Sequence, residues 1–125
     1  MKCRNNVAEL TLVQKSQLVQ AFLDLKNPAR APSRIPAAQA AVISGGGTPN
    51  RYDDYVWIHN TVGFGAHRGP AFGPWHREFL FQLEFDLQQV SDDPHLTLPY
   101  WDWTTARSAA DPGWPFTNDF MMTAE

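Results

Sequence analysis

Apolar residues recur at helical spacing between Thr11 and Lys26, at Leu12, Leu18, Val19, Phe22, Leu23 and Leu25. Thr11 and Gln14 have the spacing of a capping box, in which each side chain bonds the other residue's backbone amide at a helix start. Asn27-Pro28 follows, and proline lacks the amide hydrogen that a continuing helix requires. We therefore predict a helix from Thr11 to about Lys26.

A second periodic segment begins at Arg51, and its apolar face is formed by Tyr52, Tyr55, Val56, His59 and Val62. Gly63 and Gly65 follow, and glycine destabilises a helix interior by about 1 kcal/mol relative to alanine. The pattern predicts a helix from Arg51 to about Val62, and then a glycine-rich loop over residues 63–73.

The third periodic segment starts at Pro74, a residue that suits a first helical turn, and extends to about Val90. Its apolar face carries His76, Phe79, Leu80, Leu83, Leu87 and Val90. Three amphipathic segments of this kind predict a mainly α protein, a helical bundle with long irregular loops.

The remaining segments have the composition of irregular structure. Residues 28–50 are rich in Ala, Pro, Ser and Gly, and we expect a long loop there with a short helix at 36–43. Leu96–Trp103 is apolar and extended, but Pro99 argues against a place inside a sheet. From Thr104 onward the chain is rich in turn residues, and no further core element is expected.

Length and composition favour a single globular domain, residues 1–125. The chain is 43% hydrophobic and 18% charged, with a net charge of -3 and no basic stripe, so nothing suggests nucleic-acid binding. Cys3 is the only cysteine, which excludes an internal disulfide and a Cys-rich zinc site. No apolar run approaches the roughly 18 residues of a membrane span, and no secretory leader is recognised. We expect a cytoplasmic protein unless a partner carries it out.

Three of the four histidines lie close together in the sequence. His59 and His67 are eight residues apart, and His67 and His76 are nine apart. His59 and His76 lie on the apolar faces of two helices that we expect to pack antiparallel, with His67 in the loop between them. Three neutral imidazoles that converge can bind zinc, copper, iron or nickel and leave an open coordination position, as catalytic sites do.

A simpler explanation exists for each histidine alone. One histidine on an apolar helix face is more often a hydrogen-bonded core residue than a metal ligand. Two histidines on facing helices, with a third between them, weaken that explanation. The spacing leaves the metal open between zinc and copper, and it does not name a reaction.

Two motifs surround these histidines: AHRGPAFGPWHREFL at residues 66–80, followed by Leu83-Glu84, and LPYWDW at residues 98–103. They closely resemble the copper-A region of tyrosinases, the coupled binuclear copper proteins that include catechol oxidases and haemocyanins. RYDDY at residues 51–55, leading into His59-Asn60, is similar to the family's first-ligand helix. RNNV at residues 4–7 and the helix after it are similar to the leader of bacterial members, so the resemblance covers most of the chain.

The resemblance implies that His59, His67 and His76 hold one copper ion per chain, in half of a tyrosinase-like four-helix copper bundle. His95 matches no ligand position. The family's second copper is held by three further histidines from a later helix pair, and this chain has no histidine after His95. A second copper would therefore come from a partner chain or from a segment outside this sequence.

The resemblance also implies an activity: oxidation of phenols or o-diphenols to o-quinones with O2. The expected partners are a phenolic small molecule, O2, a copper-B half chain or a second copy of this chain, and a copper-delivery protein. The alternatives are a non-catalytic copper- or oxygen-binding module, an inactive truncated fragment, and a hydrolytic zinc site. Whether monophenols or only diphenols are substrates stays open.

Three charged residues are candidates to support the ligands, because ligating histidines usually donate their second ring N–H to a carbonyl or carboxylate. We predict that Asp102 pairs with Arg77 and steadies the His76 helix; an ordinary surface ion pair is the alternative. Glu84, two turns beyond His76, either anchors the backbone or is solvated.

A half bundle would leave its seam uncovered. We expect Phe79, Leu83 and Leu87 to be partly exposed on that seam. Because large exposed apolar patches mark interfaces, this predicts association with a complementary chain or with a second copy.

Overall fold

The computed structural model describes residues 3–111, 113–118 and 120–121. Within these residues the chain forms a 3-10 turn at Val7–Glu9 and four α-helices: α1 (Leu12–Leu25), α2 (Ala37–Ile43), α3 (Arg51–His67) and α4 (Phe72–Ser91). No β-strand occurs in this part of the chain, which has only the isolated bridges Asn6–Tyr100 and Pro32–Asn50. The mainly α prediction is confirmed. Among the described helices, none combines the length and the apolar character that crossing a bilayer requires.

The starts of α1 and α3 follow from the same capping chemistry. Thr11 and Gln14 form the predicted capping box: each backbone amide donates to the other residue's side chain, at 2.9 and 3.2 Å. Asn50 and Asp53 form a second box at the start of α3, with both bonds at 3.1 Å, which the sequence reasoning overlooked. The short helix expected at 36–43 is also confirmed.

The end of α3 corrects one prediction. The helix does not stop at Val62 but continues through Gly63 and Gly65 to His67. Glycine weakens a helix without forbidding it, and here the last turn buries Ala66 and lets His67 bond the carbonyl of Gly63. Because α4 begins at Phe72, the glycine-rich loop expected over residues 63–73 shrinks to residues 68–71.

The core lies where α4 packs against α1 and α3. Its buried side chains are Val7, Leu18, Ala21, Leu25, Ala31, Tyr55, Leu83, Leu87, Leu96 and Phe120. The prediction of a partly exposed seam is confirmed for Phe79, which is half-buried, but it is wrong for Leu83 and Leu87, which are 9% and 0% exposed. The cause is α1, which covers this face of α4.

The segments at the two ends of the chain close over this core. The amide of Tyr100 donates to the carbonyl of Asn5, and the amide of Val7 donates to the carbonyl of Tyr100, both at 2.9 Å. Phe120 is buried in the core cluster. Trp101 packs edge-on against Trp114 and Phe116, with ring centroids 5.5 and 5.7 Å apart. Phe120 thus contributes to the core, although the described residues after Thr104 form no helix or strand, as predicted.

A cluster of charged residues around the buried carboxylate of Asp86 joins α4 to α3 and to the segment before α2. The carboxylate of Asp86 accepts a 2.7 Å hydrogen bond from the Tyr55 hydroxyl. It also pairs with the guanidinium groups of Arg34 at 3.1 Å and Arg51 at 3.5 Å. Arg51 further pairs with buried Asp54 at 3.2 Å. Buried polar groups require partners in place of water, so this cluster restricts how the two helices can pack.

Gly113 offers a test of how tightly the C-terminal segment covers the core. Its φ of +83° is in the left-handed region, and a Cβ built there would lie 2.6 Å from the Cβ of Ala8. Gly45 has φ +60° with open space around it. We expect Gly113→Ala to lower the free energy of unfolding by about 2–4 kcal/mol, through backbone strain and overpacking. The strain alone should make Gly45→Ala cost about 1–2 kcal/mol. Urea unfolding of both variants measures the difference, and equal losses would contradict the tight packing of Gly113 on Ala8.

Candidate metal centre

Three histidine side chains meet at the hairpin formed by α3 and α4. His59 lies in the middle of α3, His67 is the last residue of that helix, and His76 is in the second turn of α4. One ring nitrogen from each of the three lies within 4.8 Å of the others. His67 lies at a helix end rather than in the predicted loop, and this position still brings it to the same point.

Two of the imidazoles are oriented by their own helices. Nδ1 of His76 donates to the carbonyl of Phe72 at 2.8 Å, and Nδ1 of His67 donates to the carbonyl of Gly63. A carbonyl only accepts, so Nδ1 carries a proton in both rings, and in the neutral imidazole Nε2 then keeps its lone pair. These contacts are the second-nitrogen hydrogen bonds that ligating histidines usually make.

Aromatic rings surround the histidines. The His59 ring lies 5.6 Å from Phe79 and 5.9 Å from Trp75, measured between centroids. The Phe72 ring lies 4.4 Å from His76 and 6.2 Å from His67. His67 itself is exposed, whereas His59 and His76 are half-buried. The cluster is therefore apolar on its inner side and open to solvent at His67.

The donor set fits a metal ion that prefers nitrogen ligands. Imidazole nitrogens bound at about 2.0–2.1 Å to one ion stand roughly 3.3–3.5 Å apart, so small side-chain rotations would suffice to close the cluster. No carboxylate belongs to the ligand cluster found in the described ranges. The negative end of the α3 dipole and the positive end of the α4 dipole both lie near the cluster, and their effects on a cation oppose each other. The affinity for a metal ion would therefore depend on the imidazoles.

The three predicted supporting residues lie in different surroundings. Glu84 is buried and anchors the backbone: its carboxylate accepts from the amide of Leu98 at 2.8 Å and from Arg4 at 3.1 Å. The structure does not bring Arg77 and Asp102 together. The carboxylate of Asp102 accepts from the hydroxyl and amide of Thr104 in its own turn, and these bonds lower the pKa of Asp102.

The polar contacts that join α3 to α4 were not predicted from the sequence. Asp86 of α4 accepts buried hydrogen bonds from Tyr55 and Arg51 of α3. A signal for Asp86 was present, because it falls at helical spacing with Phe79 and Leu83, and a carboxylate on an apolar face calls for a buried partner. His95, which matched no ligand position, is exposed and lies outside the cluster.

Comparison with known proteins adds to this geometry. The sequence profile of the common central domain of tyrosinase matches residues 49–125. The tyrosinase of Streptomyces antibioticus is 35% identical over 122 aligned positions, which cover 91% of this chain and 36% of the relative. The tyrosinase of Streptomyces lincolnensis is 36% identical over the same shares. The tyrosinase of Canis lupus familiaris is 33% identical, over 84% of this chain and 23% of the relative.

The chain thus spans roughly a third of the length of the bacterial relatives and about a quarter of the mammalian one. The matched region contains all three clustered histidines and both helices that carry them. On these grounds, the chain belongs to the tyrosinase family, whose common central domain matches residues 49–125.

Proposed function

We propose that His59, His67 and His76 bind one copper ion per chain. The observation that carries this proposal is the convergence of three ring nitrogens within 4.8 Å of one another. The protonated Nδ1 atoms of His67 and His76 support it, since they leave Nε2 free to bind the metal through its lone pair. Membership of the tyrosinase family favours copper over the other metals that imidazole accepts.

We further propose that the chain supplies the copper-A half of an oxidase that converts phenols or o-diphenols to o-quinones with O2. A copper ion held by the three histidines would accept and release one electron at a time. Oxidation of an o-diphenol to an o-quinone removes two electrons and two protons. The complete reaction therefore requires a second copper, which we assign to another chain or to a segment outside this sequence.

The exposed side of the histidine cluster is where a second copper half would approach. His67 is exposed there, and two large apolar side chains nearby are exposed as well: Phe64 (79%) and Phe72 (52%). A chain that covers this side would bury apolar area and exclude water from the metal. We propose a copper-B half chain or a second copy as the occupant, and a copper-delivery protein as a transient partner.

A hydrolytic zinc centre is less well supported. Such a site needs a general base close to the metal-bound water, and carboxylates commonly serve this purpose. The described part of the chain places only histidines in the ligand cluster, with Phe72, Trp75 and Phe79 around them. Metal analysis after expression with both metals supplied distinguishes zinc from copper.

Alanine substitution of the histidines tests the metal site. We expect the chain to bind one copper(I) ion. Each of the variants His59→Ala, His67→Ala and His76→Ala should weaken this binding strongly. The loss should exceed the factor of about 10–100 that is typical when a residue only orients a ligand. His95→Ala is the matched control, because this exposed histidine lies outside the cluster. Competition with a chromophoric copper(I) chelator gives the affinities. Undiminished uptake by any of the three variants would refute the assignment of that ligand.

The need for a second copper is tested with catechol as substrate. We expect the copper-loaded chain, kept monomeric at low concentration, to oxidise catechol no faster than the same concentration of free copper does. The reason is that one copper ion accounts for only one of the two electrons. Quinone absorbance should appear only where sedimentation velocity shows an assembled species. Sustained oxidation by a monomer that holds one copper would rule out the half-site mechanism.

A further inference from the structure

Among the described residues, His59 lacks the hydrogen bond to a backbone carbonyl that orients the other two histidines. His67 and His76 each donate to a carbonyl of their own helix, whereas no hydrogen bond to the His59 ring occurs among the residues that the structure describes. Packing holds this ring instead, against Phe79 and Trp75. Those two rings stack on each other with centroids 5.0 Å apart and planes at 19°. The orientation of His59 therefore depends on where the stacked pair lies.

Tyr55 packs against the Phe79 ring of the stacked pair. It is one turn before His59 on α3, and its ring meets Phe79 edge-on, with centroids 5.5 Å apart and planes at 81°. Its hydroxyl donates to Oδ2 of Asp86 at 2.7 Å, and both residues are buried, at 9% and 5% exposure. Because Asp86 belongs to α4, the Tyr55 side chain connects the two helices that carry the histidines. The same side chain also contacts the Phe79 ring, which lies beside His59.

Both partners of this hydrogen bond are held in place. Burial, followed by the neighbouring Asp86 carboxylate, raises the pKa of Tyr55, so the hydroxyl keeps its proton and donates. Arg34 and Arg51 hold the Asp86 carboxylate at 3.1 and 3.5 Å. A tyrosine that only filled space in the core would need none of these contacts, and a phenylalanine would serve equally well.

We propose that Tyr55 is a positioning residue for the metal centre. Its hydroxyl fixes the rotation and register of α3 against α4, and its ring presses Phe79 against the imidazole of His59. Tyr55 contacts neither the metal nor the substrate in this scheme. The inference rests on the proposed copper site and adds a residue that sets the geometry of that site.

The test compares two tyrosine-to-phenylalanine substitutions on the same helix. We expect Tyr55→Phe to weaken copper(I) binding about 10-fold, in line with the loss of a partner that orients a ligand, and to change the hyperfine splitting of the copper(II)-loaded chain in electron paramagnetic resonance. Tyr52→Phe should leave both unchanged. Tyr52 packs on Phe22 and Lys26, and no described residue hydrogen-bonds to its hydroxyl.

A third variant separates positioning from general loss of stability. Asp24→Asn breaks the 2.9 Å ion pair between buried Asp24 on α1 and the half-exposed Arg30 that follows this helix. We expect this variant to lower Tm while it keeps wild-type copper affinity. All affinities are measured well below the unfolding transition of each variant.

Two results would overturn the inference alone: wild-type affinity and spectrum in Tyr55→Phe, or a loss of affinity in Asp24→Asn as large as that in Tyr55→Phe. A wild-type chain that takes up no copper would overturn the proposed function itself, and the inference with it. The two failures are therefore distinguished by the wild-type measurement.

Discussion

The buried carboxylate of Asp86 is the interaction on which the arrangement of the helices depends. This one side chain of α4 accepts from Tyr55 in α3 and pairs with Arg51 at the start of α3 and with Arg34 before α2. Apolar packing alone tolerates small slides between helices, whereas a buried carboxylate must keep each donor within hydrogen-bonding distance. The buried carboxylate therefore restricts the register of α3 and α4, in addition to the surrounding hydrophobic contacts.

The three histidine side chains are oriented by different levels of structure, secondary for two of them and tertiary for the third. His67 and His76 bond carbonyls four residues earlier, so helix geometry alone orients them. His59 is oriented by rings that belong to α4, and it reaches its position only when the helices have packed. Two of the proposed ligands are thus oriented by secondary structure and the third by tertiary structure. A substitution that shifts the helix pair should act mainly through His59.

Much of the fold and the histidine cluster could be predicted from the sequence, because the capping box of Thr11 and the histidine spacing are local patterns. The end of α3 was mispredicted because glycine content was weighed without the burial of Ala66. The ion pair between Arg77 and Asp102 did not form, since Thr104, two residues away, already satisfies the carboxylate. The expected seam was covered by α1, a contact between distant segments that periodicity does not report.

The four-residue connection at residues 68–71 has a consequence for how the protein is assembled. It places every proposed ligand within one helical hairpin, and closing a short loop costs little conformational entropy. The pairing of Asn5 with Tyr100 and the burial of Phe120 join remote parts of the sequence, and such contacts form more slowly. A nascent chain would present its chelating hairpin before its ends close over the core, so metal capture need not wait for folding to finish.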